Sequence, residues 1–356
     1  MASSAPLAPR EFPLRPGAAG YRPPECTFPA GEWQVLAAEW HPVAQAEDVR
    51  DRPVGARLLD ERLVLFRTSA GITVASDLCI HRGSSLSRGS MAGDEIVCAY
   101  HGFRYAADGR CTLVPSQGPG RPISSRLCLS VYRAEVRYGL VWVCLAPGPA
   151  GRIPDLPELE SPEFRIVRLP PAVWRASAAR HVENFNDNAH VGFVHAATFG
   201  NPAQTQVGEI DLSEEDGVLV QRFRYARVDR DTLGADAVVR ERPVENRIHL
   251  PFTSHLRMTK GPGQVWSVYD FVSPVSSRES RIFMLVARNH DLELPVDEVR
   301  DFQHLVNEED RPIVEDQHPE YLPLDLAEEQ HVGADQISVA YRRALRAMGL
   351  GPGFSA

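Results

Sequence analysis

Between Cys79 and Phe103 the chain reads CIHRGSSLSRGSMAGDEIVCAYHGF, with two cysteines and two histidines in mirrored pairs. The first is Cys79-x-His81 and the second Cys98-x-x-His101, after a gap of sixteen residues. Four soft or borderline donors in that order point to a metal centre. Each pair belongs to one loop, so two facing loops have to grip a single group from opposite sides. Structural zinc takes two Cys and two His, but usually as a Cys pair followed by a His pair. One of each from either loop suits a [2Fe–2S] cluster instead, with both thiolates on one iron and both imidazoles on the other. Neutral histidine removes negative charge from such a cluster and raises its potential above that of four-cysteine clusters. A zinc-stapled binding module stays as the alternative; it would be colourless.

The loops sit among short strands. ARLLDERLVLFRTSAGITVASD alternates around Ser69-Ala70-Gly71, and Asp108-Gly109 separates two further runs, both hairpin signatures. YGLVWVCLAPG adds a buried strand. From Trp33 to about residue 147 this predicts a small all-β domain. The Pro-rich APGPAGRIPDLPELESPE reads as a linker. Beyond it GVLVQRFRYARV, VWSVYDFVS and SRIFMLVARNH predict strands of a larger antiparallel sheet, with helices over Glu183–His195, Val296–Gln317 and Asp335–Met348. In the last, Ile337, Tyr341, Leu345 and Met348 make an apolar stripe that Gly349 and Gly351 end. The fold class is α+β: a flexible arm over 1–32, a β domain over 33–147 and a second domain over 148–356.

Composition removes several functions. A net charge of −9 argues against a nucleic-acid partner. No apolar run approaches the roughly 20 residues of a membrane span, and the Pro/Ala/Gly-rich start has no secretory h-region. The six cysteines are therefore expected as thiols or ligands in a cytoplasmic protein.

HVENFNDNAHVGFVHAATFG carries His181, His190 and His195 among carboxylates and amides. On a helix Asp187 and His190 share a face, but His190 and His195 lie about 140° apart. Both reach one metal only if the helix distorts or ends between them, which Gly192 permits. This segment alone leaves a metal site and a polar buried helix as equal readings. In EVRDFQHLVNEEDRPIVEDQHP, Val299, Phe302, Val306, Ile313 and Gln317 follow one helical stripe, and Asp310 falls on it. A carboxylate on a buried face is costly unless paired or metal-bound. Pro312 disturbs the helix at that level. Glu308 and Glu309 read as a solvated acidic face. His190, His195 and Asp310 together match the two-His, one-carboxylate triad of non-haem Fe(II) oxygenases.

The C-x-H and C-x-x-H-G pairs closely resemble the Rieske [2Fe–2S] motif, and HRG and YHGFRY resemble its version in ring-hydroxylating oxygenases. Ala99 stands where that family often has Pro, and Phe103 where it often has Trp. Asn184-x-x-Asp187-x-x-His190-x₄-His195 and EEDRPIVEDQ resemble the mononuclear-iron segments of Rieske oxygenase large subunits. The similarity runs from about Trp33 to Leu350. It implies a Rieske domain followed by a helix-grip, START-like catalytic domain. Cys79, His81, Cys98 and His101 would hold the cluster, and His190, His195 and Asp310 would bind Fe(II). Asp187 would connect to His101 of a neighbouring subunit in a homotrimer, and Asn184 would lie close to the iron.

The implied activity is that of a terminal oxygenase using O₂, with electrons passing from cluster to iron. No Gly-rich dinucleotide fingerprint follows a strand, so NAD(P)H and flavin would belong to a separate reductase, with or without a ferredoxin. The C-terminal DQISVAYRRALRAMGL resembles a subgroup holding methylxanthine N-demethylases and saxitoxin-pathway hydroxylases. That implies hydroxylation or oxidative demethylation of a small aromatic or heterocyclic substrate in aromatic catabolism, rather than arene cis-dihydroxylation beside a small β subunit. A Rieske electron carrier without oxygenase activity is the alternative of another class; it needs only the first domain. The pocket is expected between the second sheet and Phe185, Asn188, Phe193, Phe199 and His255.

Overall fold

The computed structural model describes residues 21–228, 239–351 and 354–356. Most of the expected arm, residues 1–20, lies outside the described residues. Its described part is docked, not free: Tyr21 and Phe28 are buried, and the Tyr21 hydroxyl donates to Glu61 Oε2 at 2.7 Å. Helix α1 (Ala30–Ala37) follows.

The first half is all-β. Strands β1 (His41–Gln45), β2 (Val54–Leu58), β3 (Glu61–Thr68) and β4 (Gly71–Ser76) precede a small sheet of β5 (Ser90–Ala92), β6 (Glu95–Val97), β7 (Arg104–Tyr105) and β8 (Cys111–Leu113). Strands β9 (Val131–Arg137) and β10 (Leu140–Cys144) complete a six-stranded sheet of order β1-β10-β9-β4-β3-β2. Strand β3 is buried on both faces, which explains its unbroken Leu-Val-Leu-Phe run. Leu63 and Leu65 join the main core, whereas Val64 and Phe66 join the core beneath the cysteine loops. Both expected hairpins form. At Gly109, φ is +86°, and a Cβ there would lie 2.5 Å from the Leu129 carbonyl oxygen.

The Pro-rich segment is packed rather than loose. Ile153 and Leu156 are buried, and Glu158 accepts from Arg257 (2.8 Å), Tyr269 (2.9 Å) and Ser267. The second half builds an eight-stranded antiparallel sheet. Its strands are β11 (Arg165–Arg168), β12 (Ala172–Trp174), β13 (Asp211–Glu215), β14 (Val218–Val228), β15 (Val239–His249), β16 (Thr253–Gly261), β17 (Gln264–Ser276) and β18 (Glu279–Arg288). The β2–β3 turn docks on β17, where Leu59 and Asp60 N–H groups donate to Pro274 and Val275 carbonyls at 2.8 and 2.9 Å.

Two helical expectations need correction. The expected Glu183–His195 helix is two pieces, α2 (Ala178–Asn186) and α3 (Val191–Val194). Ser177 caps α2 by accepting from the Arg180 N–H. The chain leaves the helix at Asp187 (ψ 142°), not at Gly192, which lies inside α3. Asp187 causes the break because its carboxylate accepts the Ala189 and His190 N–H groups at 3.0 and 3.1 Å, in competition with helical carbonyls. Helix α4 (Val296–Glu315) runs through Pro312, and its buried stripe is Val299, Gln303, Val306, Asn307 and Val314. Ile313 is 52% exposed, and Gln317 lies beyond the helix. Asp310 still falls on the inner face, between Asn307 and Val314. Helix α5 (Gln336–Ala347) buries Ile337, Tyr341 and Leu345, and the chain turns at Gly349 with φ +93°.

Candidate metal centres and substrate cavity

The two Cys/His loops repeat one backbone pattern. In the first, the Cys79 N–H donates to Ser84 O at 2.9 Å and the Gly83 N–H to Cys79 O at 2.8 Å. In the second, the Cys98 N–H donates to Phe103 O at 2.8 Å and the Gly102 N–H to Cys98 O at 3.0 Å. Gly83 and Gly102 share φ +69°, the left-handed conformation that lets each loop double back behind its cysteine. The thiols are buried, and Tyr105 Oη lies 3.1 Å from Cys79 Sγ. The imidazoles occupy the outer edge, with His81 half-buried and His101 exposed, their centroids 4.6 Å apart. Phe103 stacks flat on His81 at 4.6 Å, so the residue that departs from the family's usual Trp keeps a ring there.

Burial, with Cys98 close by, pushes the Cys79 thiol above its ordinary pKa. A buried thiol pair at one end, and an imidazole pair at the other whose His81 Nδ1 has no hydrogen-bond partner, are donors arranged for a group with two different metal ends.

The second centre forms where the α2–α3 break meets α4. His190 Nδ1 donates to Asp187 Oδ2 at 2.9 Å, and His195 Nδ1 to Glu309 Oε2 at 2.8 Å. Each ring therefore presents a bare Nε2. The two Nε2 atoms are 3.3 Å apart, and Asp310 Oδ1 lies 3.5 Å from the first and 3.3 Å from the second. Asp310 Oδ1 has no hydrogen-bond donor. Three potential ligand atoms that converge in this half-buried spot could hold a cation. Burial raises the Asp310 carboxyl above its ordinary pKa, against the pull of His195 and His190. Burial opposes ionisation of Asp187 too, but the hydrogen bond from His190 holds its carboxyl below the usual range.

Asp187 reaches this centre through its hydrogen bond with His190, and Asn184 lies near enough to Asp310 to lower its carboxyl pKa. His181 sits apart, with Nε2 2.9 Å from Asp270 Oδ2. Two residues escaped the sequence reading. Glu309 is no solvated acid: besides His195 it accepts from Thr198 Oγ1 at 2.8 Å. Gly200 lets the chain fold back over His195, since a Cβ there would stand 2.2 Å from Val191 O. Its N–H donates to His195 O at 2.8 Å.

A cavity of about 1120 Å³ opens from this centre. Phe185, Asn188 and Phe199 line it as expected, together with the inner face of β14–β17. Phe193 and His255 do not. Phe193 is 70% exposed. Leu256 and Met258 point into the cavity, so strand alternation turns His255 to the other face, where it stacks on Tyr269 at 4.2 Å.

Residues 39–133 match the Rieske [2Fe-2S] domain family, and residues 174–350 match the vanillate O-demethylase oxygenase C-terminal domain. The chain is 30% identical over 326 residues to methylxanthine N1-demethylase NdmA of Pseudomonas putida, covering 88% of this chain and 90% of that protein. To methylxanthine N3-demethylase NdmB of the same organism it is 32% identical over 321 residues, covering 85% and 87%. The solved structure of Pseudomonas putida CBB5 NdmA with caffeine superposes with a TM-score of 0.78 at 28% identity, covering 89% of this chain and 92% of that one. Among the described residues no helix is long and apolar enough to cross a membrane.

Proposed function

The chain belongs to the Rieske oxygenases, and from that premise we propose that it oxidatively demethylates, or hydroxylates, a small planar heterocycle or related aromatic. It is an oxygenase component that takes electrons from a separate reductase. The observation that carries the reading is the convergence of His190, His195 and Asp310 on one point in the wall of a largely aromatic and aliphatic cavity. Cys79, His81, Cys98 and His101 would hold a [2Fe–2S] cluster and His190, His195 and Asp310 Fe(II), which would supply one-electron transfer and dioxygen activation.

The chain's own residues set the conditions. Asp187 and Glu309 each accept a hydrogen bond from Nδ1–H, which fixes the tautomer of His190 and His195 and leaves Nε2 free. Asn184, beside Asp310, favours its ionised form. Phe185, Phe199, Phe223 and Trp266 favour a flat substrate and exclude water from around it. Asp187 keeps 28% of its side chain exposed, and His101 is exposed at the edge of the first centre. In our reading these two residues meet between neighbouring subunits of a head-to-tail homotrimer, a heterologous contact that closes as a ring.

The test is a substrate screen on iron-loaded protein with a surrogate reductase, following formaldehyde, hydroxylated product and cis-diol separately. Formaldehyde or a hydroxylated product is expected. A cis-diol as the main product overturns the reading, and so does no turnover across N- and O-methylated aromatics and heterocycles with both metal centres filled.

A further inference from the structure

The two histidines of the mononuclear centre are supported unequally. Asp187, behind His190, is held by its own segment: its carboxylate accepts the Ala189 and His190 N–H groups at 3.0 and 3.1 Å, besides the ring at 2.9 Å. Glu309, behind His195, comes from a separate element, α4. Among the described residues its carboxylate accepts from His195 Nδ1 at 2.8 Å and from one other group, the Thr198 hydroxyl, at 2.8 Å. Successive residues of an α-helix point about 100° apart. Glu309 therefore reaches the ring by a side chain directed well away from that of Asp310. A long, flexible side chain keeps such a pose only if something holds it.

Thr198 is 7% exposed and lies in the turn after α3, three residues beyond His195. Its hydroxyl oxygen also lies 3.2 Å from the His195 carbonyl oxygen. That carbonyl already accepts the Thr198 N–H at 3.0 Å and the Gly200 N–H at 2.8 Å. With one proton to give, the hydroxyl favours the shorter contact to a carboxylate, which is the stronger bond.

We infer that Thr198 is a positioning residue of the mononuclear centre: its hydroxyl pins Glu309, and through Glu309 it sets the orientation of His195. The same bond ties α4, which carries Asp310, to the turn that follows His195, so donors from two elements keep one spacing. The inference deepens the oxygenase reading above and rests on it, since it needs a metal between His190, His195 and Asp310.

A local role is the competing account. A threonine hydroxyl three residues beyond a carbonyl can serve only to close the turn. Its loss would then cost stability, leave metal binding as it was, and have the same effect whether or not Glu309 is present. Were Thr198 there for His195, its loss would weaken metal binding, and only while Glu309 is there to carry the effect.

The experiment is anaerobic titration of Fe(II) into the full chain, with its cluster in place and its mononuclear site stripped of metal. Wild type is compared with Thr198→Val, Thr198→Ser, Glu309→Ala and the double variant Thr198→Val with Glu309→Ala. Thr198→Val keeps the shape of the side chain and removes its proton. It is expected to bind Fe(II) about tenfold more weakly, as for loss of a group that supports a ligating histidine. Thr198→Ser keeps the hydroxyl and should bind as wild type does. In the Glu309→Ala background Thr198→Val should cost nothing further, because the group it acts through is gone. Unchanged affinity in Thr198→Val, an equal loss in Thr198→Ser, or the full loss repeated in the Glu309→Ala background each overturns the inference. Should Thr198→Val not fold, Thr198→Ala is read by the same comparisons. A wild type that binds no Fe(II) at this centre overturns the oxygenase reading together with the inference. Tight wild-type binding that Thr198→Val leaves untouched overturns the inference alone.

Discussion

Glu309 and Asp310 are consecutive residues of one helix, and both address the same imidazole. Glu309 Oε2 accepts a hydrogen bond from Nδ1 of His195 at 2.8 Å, while Asp310 Oδ1 stands 3.3 Å from its Nε2. One carboxylate thus sets the tautomer and orientation of the ring that the other joins as a co-ligand. Glu309→Gln should lower mononuclear iron affinity or turnover about 10–100-fold, as loss of a carboxylate behind a ligating histidine does. The visible spectrum of the first centre should stay as in wild type. Iron titration of apoprotein checks this; an unchanged affinity and rate would make Glu309 a bystander.

Asp310→Ala, His190→Ala and His195→Ala should each lose the mononuclear iron and all oxygenation. Iron content should fall from about three to about two per chain, because the cluster retains its own two atoms. Elemental analysis beside the visible spectrum decides. Loss of colour in all three variants would show that the two centres are not independent.

Replacing His81 or His101 with Cys should lower the reduction potential, from the range of mixed His/Cys clusters towards the roughly −400 mV of all-cysteine ones, or else lose the cluster. Voltammetry of the purified variants measures it. A wild-type potential in His101→Cys would remove His101 from the ligand set.

Asp187→Asn retains a side chain that can still accept the Ala189 and His190 N–H groups, so the α2–α3 break should survive. What it loses is the negative charge between His190 and, in our reading, His101 of a neighbouring subunit. Pre-reduced variant mixed with substrate and O₂ should oxidise its cluster orders of magnitude more slowly than wild type, with both metals present. Cluster oxidation at the wild-type rate, or a monomeric wild type, would exclude that route.

His41 offers a pH test remote from both centres. It is buried, its Nε2–H donates to the Leu36 carbonyl at 2.8 Å, and burial lowers its pKa from 6.5 to about 4. The unfolded chain binds a proton near pH 6.5 that the native state refuses until about pH 4. Stability is therefore complete above pH 6.5 and declines as the pH falls between those values, by about 3 kcal/mol in all. Denaturant midpoints should fall across that window, and His41→Gln should flatten part of the fall. Equal slopes would assign the acid sensitivity to other groups.

The candidate centres were legible in the sequence because their proposed donors are chemically rare and regularly spaced. Cys79, His81, Cys98 and His101 announce themselves by order alone, and Asp310 by a carboxylate on an apolar stripe. Glu309 was not legible, since a second acid in Glu-Glu-Asp looks like solvated surface until Thr198 and His195 are folded onto it. The helix expected over Glu183–His195 is interrupted, and the break lies before His190 rather than between His190 and His195. Gly192 was the obvious suspect, whereas the Asp187 side chain does the breaking by taking backbone donors from the next turn. Residues such as Phe193 and His255 were misjudged because their facing depends on where α3 begins and on strand register, neither of which local composition specifies.

All three proposed donors of the mononuclear centre come from segments that flank strands β13–β18, His190 and His195 from before them in the chain and Asp310 from after them. Four of the strands between them, β14 to β17, contribute cavity wall, through residues such as Phe223, Val244, Asn246, Met258 and Trp266. Reactivity and selectivity are thus written in separate stretches of sequence. Substitutions in those four strands can redraw the shape and polarity of the cavity while every metal donor keeps its position, so a library confined to wall positions explores new substrates without putting the iron at stake.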